Sequence, residues 1–501
     1  MTSPPTTAGV VHVEVRKGAY ADSVALLQVS KDVAATAGVW AAQVAMATPL
    51  NLGLLETMGF TMPGSTANDM VVALRVESHD RIGAALQAVE AALAAVSRHN
   101  STDAEQDIAP RTTESAMTRL DTSLALISVP GRYAVVEAMD ALDQGQDVMI
   151  FSDNVPVEQE IALKLIAQER GLLVMGPDCG TAMVGGVGLG FANAVRTGPV
   201  GLVAASGTGC QQLMCLLDYA GVGLSAALGV GGRDLGTKVA GLASKQALRR
   251  LDDDPNTELI VVVSKPPADE VAADLRSFAN GLSTPVQFAL LGPGQPDLTA
   301  AAEEILVALG RTVPTWPTWG TPAAGASEGF LRGLFVGGTL CDESMLIASA
   351  ALGPIHSNIP LDPAYALDAT LSADAHLMID FGDDSLTVGR AHPMIDPTIR
   401  LEYLAKTAAD PATAAILLDV VIGHGSERDP AAALAPAITQ AIAAARQSGR
   451  DLPIVVACVG TETDPQNLTH QATACAAAGA QVFLSNAQAV RRALNLIEGA
   501  R

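Results

Sequence analysis

The chain has 501 residues, 49% of them hydrophobic and only 3% aromatic, so it predicts several domains with cores of Ala, Val, Leu and Ile. Its formal net charge of −23 argues against binding nucleic acid or anionic membranes, because both need basic patches that the sequence lacks. The six cysteines show no CxxC pair, and we find neither an export signal nor an apolar stretch of bilayer length, so we expect buried thiols and a cytoplasmic protein.

The first 198 residues alternate strand and helix patterns. We expect a small α/β N-terminal domain over residues 1–96, a polar linker over 97–118, and a parallel sheet over 119–198. In the last of these, residues 185–199 are expected to be a glycine-rich connection. Residues 199–310 and 328–501 form two further α/β units, joined by a proline-containing linker over 311–327 that is expected to be stiff and partly packed.

These two units begin with the same pattern of an apolar strand, a glycine turn and a helix start. The first turn is Ser206-Gly207-Thr208-Gly209, and the second is Gly337-Gly338-Thr339. Glycine permits close approach of a ligand, and the free N–H groups of a first helical turn favour an anion. Further landmarks recur in the same order, with an insertion expected near 352–378. The sequence therefore predicts a duplication with two cradles for phosphate or carboxylate, the alternative being that each turn only caps its helix.

Several other residues are candidates for binding or catalysis. Arg233 is a candidate anion clamp, or else the partner of Asp234. Lys265 follows a buried strand at a position where α/β proteins bind ligands, or else it is a solvated loop lysine. His392 and Arg390 form the most catalytic-looking pair, His392 polarising a carbonyl or moving a proton and Arg390 holding an anion, unless His392 only caps a turn. Asn154 and Lys17 are further candidates for binding. The acidic residues that would bind Mg²⁺, if they are more than turn residues, are Asp383, Asp384 and Asp396. A nucleophilic Cys179 is disfavoured, because the sequence shows no basic partner for it.

The stretches Ile127-Ser-Val-Pro130, Phe151-Ser-Asp-Asn154 and Met175-Gly-Pro-Asp-Cys-Gly180 resemble the CoA-binding domain of the succinyl-CoA synthetase superfamily. The two repeat units are similar to the ligase domains of that superfamily's α and β subunits. Over nearly the whole chain, segments such as Lys17-Gly-Ala-Tyr20, Val263-Ser-Lys-Pro-Pro267 and Val388-Gly-Arg-Ala-His-Pro393 resemble the FdrA family. The resemblance implies a Rossmann-like CoA-binding sheet and two flavodoxin-like ligase domains, packed as a pseudo-pair with their helix N-termini facing one cleft.

The resemblance also implies a function. In the superfamily a phosphohistidine follows the last strands of the α ligase domain, but here that stretch is Ala289-Leu-Leu-Gly-Pro-Gly-Gln-Pro-Asp297 and contains no histidine. We therefore expect no acyl-CoA synthetase activity from this chain alone, and CoA binding is disfavoured. One branch of the FdrA family is implicated as an oxamate carbamoyltransferase subunit in allantoin breakdown, which implies small anionic substrates such as oxamate and carbamoyl phosphate, and partner subunits. An acyl-CoA synthetase subunit with a borrowed phosphocarrier and a non-catalytic scaffold remain alternatives.

Overall fold

The computed structural model describes residues 9–19, 21, 23–99, 110–120, 122–322, 328–387 and 391–497. The chain divides into two units, Met1–Ala109 and Pro110–Arg501. Each unit is described by itself below.

The smaller unit is a three-stranded antiparallel sheet with helices on both faces. The strand order is β1-β3-β2, with both pairs antiparallel. Because every residue of β3 except Arg75 is buried, this central strand has a core on each side: Val29 and Val89 pack on one face, and Leu55 and Phe60 on the other. Its elements are β1 Val10–Arg16, α1 Ser23–Ala34, β2 Val39–Met46, α2 Pro49–Thr57, β3 Met70–Val76 and α3 Arg81–His99.

The larger unit begins with a parallel sheet of three strands, in the order β4-β5-β6. The alanines and leucines of the two longer helices here face this sheet and build a separate small core. The expected linker 97–118 contains the end of α3 and a short helix, α4, and residues 100–109 lie outside the described part of the chain. The elements are α4 Thr113–Met117, β4 Leu124–Ile127, α5 Gly131–Asp143, β5 Asp147–Ile150, α6 Val157–Glu169 and β6 Val174–Met175.

A second sheet of six strands follows, in the order β12-β11-β9-β10-β7-β8. The two strands of this sheet that come first in the chain, β7 and β8, form a hairpin within residues 181–190. The expectation that 185–199 is only a connection was therefore wrong. Gly185 and Gly186 both have positive φ, which is the backbone that a two-residue hairpin turn requires. The elements are β7 Thr181–Val184, β8 Val187–Gly190, β9 Thr197–Ala205, α7 Gly207–Tyr219, β10 Leu224–Gly229, α8 Leu242–Asp252, β11 Leu259–Ser264, α9 Asp269–Ala279, β12 Val286–Leu290 and α10 Leu298–Ala308.

The third sheet also has six strands, in the order β13-β18-β17-β16-β14-β15. Strand β13 lies in the expected linker 311–327 and pairs antiparallel with β18, and Trp316 beside it is 4% exposed, so the described part of that linker is partly packed. The elements are β13 Thr318–Trp319, β14 Phe330–Phe335, α11 Gly338–Leu352, a 3₁₀ helix Pro363–Tyr365, β15 Leu377–Asp380, α12 Asp384–Thr387, α13 Thr398–Ala409, β16 Thr413–Val421, α14 Pro430–Gln447, β17 Ile454–Val459, α15 Leu468–Ala477, β18 Gln481–Phe483 and α16 Asn486–Leu494.

The two large sheets share one topology. In chain order, the strands β9, β10, β11 and β12 occupy the same relative places as β14, β15, β16 and β17. The common strand order agrees with the repeat inferred from the two glycine turns, and residues 353–376 hold only the short 3₁₀ helix, where the insertion was expected. The predicted multi-domain α/β fold class is confirmed.

One apolar core joins the two large sheets. It contains Leu213 and Leu217 of α7, Leu340 and Met345 of α11, and strand residues of both sheets. Polar contacts cross the same boundary: Gln212 Oε1 accepts from the backbone amide of Asn486 at 2.9 Å. The helices that follow the two glycine turns are therefore packed into a single body.

No helix among the described residues is long and apolar enough to cross a lipid bilayer. All six cysteines are buried and free, as the sequence predicts.

Candidate functional site

The first glycine turn ends strand β9 and starts helix α7. The Oγ of Ser206 accepts a hydrogen bond from the amide of Gly209 at 3.0 Å, so Ser206 is the helix cap. Gly207 and Thr208 occupy the first two helical positions, where an amide has no partner within the helix. Two N–H groups are therefore left to bind an anion.

The second glycine turn follows strand β14 and starts helix α11. Here the carboxylate of Asp419, on β16, accepts from the amides of Val336 and Gly337, both at 2.8 Å. The amide of Gly337 is thus already used, and the amides of Gly338 and Thr339 at the helix start remain. Arg400 on α13 holds the same aspartate, donating to its Oδ1 at 3.1 Å.

The two turns meet. The hydroxyl groups of Ser206 and Thr339 are hydrogen-bonded at 2.7 Å. A methyl group on Gly337 would lie 3.0 Å from Oγ1 of Thr208, so no larger side chain fits between the turns. The positive ends of two helix dipoles consequently lie side by side, which is an arrangement that attracts an anion such as phosphate.

Lys265 lies at the same edge of the sheets. Ser264 pairs with Ala205 in the parallel register of β11 and β9, so the residues after these strands, Lys265 and Ser206, emerge side by side. After β9 the chain continues to β10 on one side of the sheet, and after β11 it continues to β12 on the other side. Ligands bind in the crevice where the strand order changes direction in this way. The ammonium group of Lys265 would contact a methyl group on Gly338 at 3.1 Å, which places the cation at the start of α11.

Carboxylates surround this lysine. Asp342 Oδ2 lies 3.7 Å from Lys265 Nζ. Desolvation alone would lower the pKa of Lys265, but Asp342, Asp380 and Asp178 outweigh it and the pKa is raised, so the lysine stays charged. Burial raises the pKa of Asp342 to about 6. Among the described residues, the cleft combines amide donors, the cation of Lys265 and several carboxylates.

His392 lies on this edge of the third sheet. A methyl group on Gly382 would lie 2.6 Å from His392 Nε2, and the ring stacks at a tilt on Phe191 with centroids 5.5 Å apart. Desolvation lowers the pKa of His392 to about 4, so the ring is neutral at pH 7. The amide of Met394 donates to Nδ1 at 3.2 Å, which leaves the ring proton on Nε2 as a donor. Of the two predicted roles of His392, this geometry suits polarising a carbonyl better than moving a proton.

Arg390, the predicted partner of His392, lies outside the described residues.

Arg233 is not paired with Asp234, so that alternative was wrong. Its guanidinium donates to the carbonyl of Val155 at 2.9 Å and forms an ion pair with Glu160, also at 2.9 Å. Asp234 is instead buried against Lys164 at 2.8 Å and accepts from the first amides of α8. Arg233 is therefore held by the carboxylate of Glu160, although nearly half of its side chain is exposed to solvent.

The remaining predicted binding residues, Asn154 and Lys17, lie in turns. Asn154 is exposed and has a φ of 54° in the turn after β5. Lys17 lies in the smaller unit, where the amide of the adjacent Gly18 donates to Asp69 at 3.0 Å, so that turn is already occupied by a carboxylate. Burial raises the pKa of Cys179 to about 12, which is opposite to what a nucleophilic thiol needs.

Two of the acidic turn residues considered for Mg²⁺ have local partners. Asp383 accepts from Ser385 and Asp396 accepts from Thr398, each through backbone amide and hydroxyl. Across the described ranges, no three His, Cys, Asp or Glu side chains are grouped to hold a metal ion. These contacts favour the interpretation that Asp383 and Asp396 stabilise turns.

Two residues of the site, Asp380 and Asp419, were missed by the sequence reasoning. Each is an aspartate in an otherwise apolar, buried strand, Leu-Met-Ile-Asp380 and Ile-Leu-Leu-Asp419-Val-Val. A charged residue in such a run is expensive to bury and therefore needs a specific partner or function. That local signal was available in the sequence.

Comparisons with known proteins place the chain in a family. The "AllF, heavy metal-associated domain" model matches residues 6–110 and the "CoA-ligase" model matches residues 334–496. "Uncharacterized protein YahF" of Escherichia coli K12 is 37% identical over 485 residues, covering 92% of this chain and 93% of YahF.

More distant relatives are CoA ligases. "Succinate--CoA ligase [ADP-forming] subunit alpha" of Methanothermobacter thermautotrophicus is 29% identical over 188 residues, covering 36% of this chain and 62% of the ligase subunit. A solved structure of dinucleotide-forming acetyl-coenzyme A synthetase 1 from Ca. Korarchaeum cryptofilum, in complex with phosphate and ADP, overlaps 79% of this chain and 89% of its own, with 15% identity and a TM-score of 0.31.

The match to YahF covers nearly the full length of both proteins, and the second repeat unit matches the CoA-ligase model over residues 334–496. The chain belongs to the YahF family of the succinyl-CoA synthetase-like superfamily.

Proposed function

We propose that this chain is a carbamoyltransferase subunit of the FdrA type, which interconverts oxalurate plus phosphate with oxamate plus carbamoyl phosphate. The observation that carries the proposal is the meeting of the two helix starts at Ser206 and Thr339, with Lys265 beside them. Phosphate bound there would accept hydrogen bonds from the amides at the two helix starts and would form an ion pair with Lys265. These amides belong to Gly207, Thr208, Gly338 and Thr339.

The loop after β12 supports a reaction without a phosphohistidine. Strand β12 ends at Leu290, and Asp297 caps α10 by accepting from the amides of Thr299 and Ala300. No histidine stands between these two points. Phosphate held in the cleft would therefore act as the nucleophile itself, rather than pass through a phosphorylated side chain. His392, with its proton on Nε2, would donate to the oxygen of the attacked carbonyl.

The family model that matches residues 6–110, in the smaller unit, is described as a heavy metal-associated domain. Residues 1–109 contain no cysteine, so the thiolate ligands that soft metal ions prefer are absent from that unit's sequence. The proposal accordingly assigns no metal to the smaller unit. Partner subunits stay part of the proposal.

The test is phosphate-dependent cleavage of oxalurate, measured as carbamoyl phosphate and oxamate released by this chain alone and with the proteins encoded beside it. Lys265→Met should lower kcat/KM for phosphate by about tenfold or more, because a charge-assisted contact is lost. Lys245→Met is the matched control, since Lys245 on α8 forms its ion pair with Asp274 on α9. No cleavage under any combination, or equal activity of the two variants, would contradict the proposal.

An acyl-CoA synthetase subunit is the second candidate, favoured by the CoA-ligase match over residues 334–496. Calorimetry with CoA separates the two, because the carbamoyltransferase proposal predicts no binding of CoA. A phosphohistidine trapped on this chain after incubation with a nucleotide and Mg²⁺ would also favour the synthetase.

A further inference from the structure

The proposed function leaves one buried carboxylate of the cleft without a role. Asp380 ends β15 and is 4% exposed. Its Oδ1 accepts from the amide of Gly382 at 2.9 Å, whereas Oδ2 has no hydrogen-bond partner among the described residues. A methyl group on Gly338 would lie 2.7 Å from that oxygen, so Oδ2 faces the start of α11.

The fold does not need this carboxylate to hold the strand end in place. The side-chain amide of Asn358 already clamps the backbone of Asp380, accepting from its N–H at 2.9 Å and donating to its C=O at 2.8 Å. Asp380 makes no ion pair within 4.0 Å to any side chain that the structure describes. A buried carboxylate with a free oxygen is costly, and here that oxygen lies where phosphate would bind.

Its surroundings suit a group that gains and loses a proton near neutral pH. Burial raises the pKa of Asp380 to about 7, while Lys265 opposes that rise. A carboxyl group with a pKa near the working pH is an efficient proton carrier. The other titratable groups around it are Asp342, Asp383, Cys341 and His392.

We propose that Asp380 is the proton shuttle of the carbamoyl transfer. In the direction of oxalurate cleavage, an oxygen of hydrogen phosphate attacks the carbamoyl carbon, and Oδ2 takes the proton from the phosphate. A C–O bond forms, the C–N bond breaks, and its electron pair stays on the amide nitrogen of the departing oxamate. Asp380 then returns the proton to that nitrogen, so the residue ends as it began and no further reactant is needed. This inference rests on the proposed function.

The test compares wild type with Asp380→Asn in the reconstituted complex. Turnover of oxalurate should fall by about 100-fold or more, the usual contribution of a general acid–base group. Binding of inorganic phosphate to the chain, measured by calorimetry, should be kept or become tighter, because a like charge is removed from the cleft. Asp380→Glu, which keeps the acid but moves it, should recover part of the turnover.

Stability separates a catalytic role from a structural one. A folded-state pKa of about 7 lies above the ordinary value of 3.8, so the folded chain binds the proton more tightly and loses stability as pH rises between these values. At pH 8 the charged wild-type carboxylate therefore costs stability, and Asp380→Asn should have an equal or higher Tm. At pH 5 this advantage should shrink. The matched control is Asp362→Asn, an exposed cap of the 3₁₀ helix, which should change neither turnover nor phosphate binding.

The outcomes are distinguishable. Wild-type cleavage of oxalurate decides the proposed function, and its absence overturns both proposals. If wild type is active but Asp380→Asn turns over within about threefold of it, only the proton-shuttle role fails. If the variant loses turnover together with phosphate binding and Tm, Asp380 is structural, and the inference also fails.

Discussion

Asp419 and Arg400 form a buried ion pair behind the second glycine turn. Their side chains are 0% and 4% exposed, and the aspartate also accepts the amides of Val336 and Gly337. Burial raises the pKa of Asp419 to about 6 against the opposing charge of Arg400. A pair of this kind is better evidence for precise positioning than for stability, because desolvation offsets most of the attraction.

Removing one partner of this pair should be severe. We expect Asp419→Ala to lower the free energy of unfolding by about 3–5 kcal/mol, because it leaves a buried guanidinium without its counter-ion and two buried amides without an acceptor. Denaturant unfolding followed by circular dichroism measures the change. The matched substitution Asp410→Ala breaks the more exposed pair with Arg332 and should cost less. Equal losses for both variants would contradict the role assigned to Asp419.

At the scale of elements, the two strand–glycine–helix units differ in how they use glycine. A methyl group on Gly338 would lie 2.7 Å from Asp380 and 3.1 Å from Lys265, whereas one on Gly207 would meet only Thr181 at 3.6 Å, an ordinary contact. The helix dipoles are equivalent in both units. The side chains around the first residue of each helix, and not the helix dipole, therefore decide whether that residue must be glycine.

This difference gives a paired prediction. Gly338→Ala should weaken phosphate binding by about tenfold or more, because the methyl group occupies the space between the two charged groups and the ligand. Gly207→Ala should bind phosphate nearly as wild type does, since its methyl group is accommodated. Calorimetry on the whole chain measures both affinities, and circular dichroism checks that both variants fold. A larger loss for Gly207→Ala than for Gly338→Ala would show that the cradle is centred on the other helix.

At the scale of the larger unit, a buried ionic cluster ties the first small sheet to the second sheet. Lys164 on α6 contacts Glu160 at 2.7 Å, Asp234 at 2.8 Å and the carbonyl of Val230 at 2.9 Å. The three charged side chains are between 0% and 1% exposed. The loop after β10, which also carries Arg233, is thereby fixed to the helix that packs on β4–β6.

Breaking this cluster should loosen one sheet from the other. Lys164→Ala should cost about 3–5 kcal/mol of unfolding free energy, because the buried carboxylates of Glu160 and Asp234 lose the cation that they share. Lys245→Ala, which breaks the partly exposed ion pair between Lys245 on α8 and Asp274 on α9, should cost below about 1 kcal/mol. Limited proteolysis should cut the loop near residues 231–237 faster in Lys164→Ala alone. Similar cutting in both variants would argue against a joint at this position.

The sequence by itself determined the elements and their kind. Apolar runs that stop at small residues placed β9, β14 and the helices after them, because hydrophobic periodicity and glycine act locally. The same reasoning placed Lys265 at a strand end, where parallel sheets gather ligands. It missed the hairpin of β7 and β8, because a short strand rich in glycine has little apolar pattern.

Only the tertiary structure decided which strand ends share a cleft. Residues 206 and 339 are 133 positions apart, and their hydrogen bond exists because the two large sheets pack together through α7 and α11. The pairing of Arg233 with Glu160 and the free oxygen of Asp380 have the same origin. Burial, neighbouring charge and the number of remaining partners are properties of the packed chain, so no local pattern of residues could have supplied them.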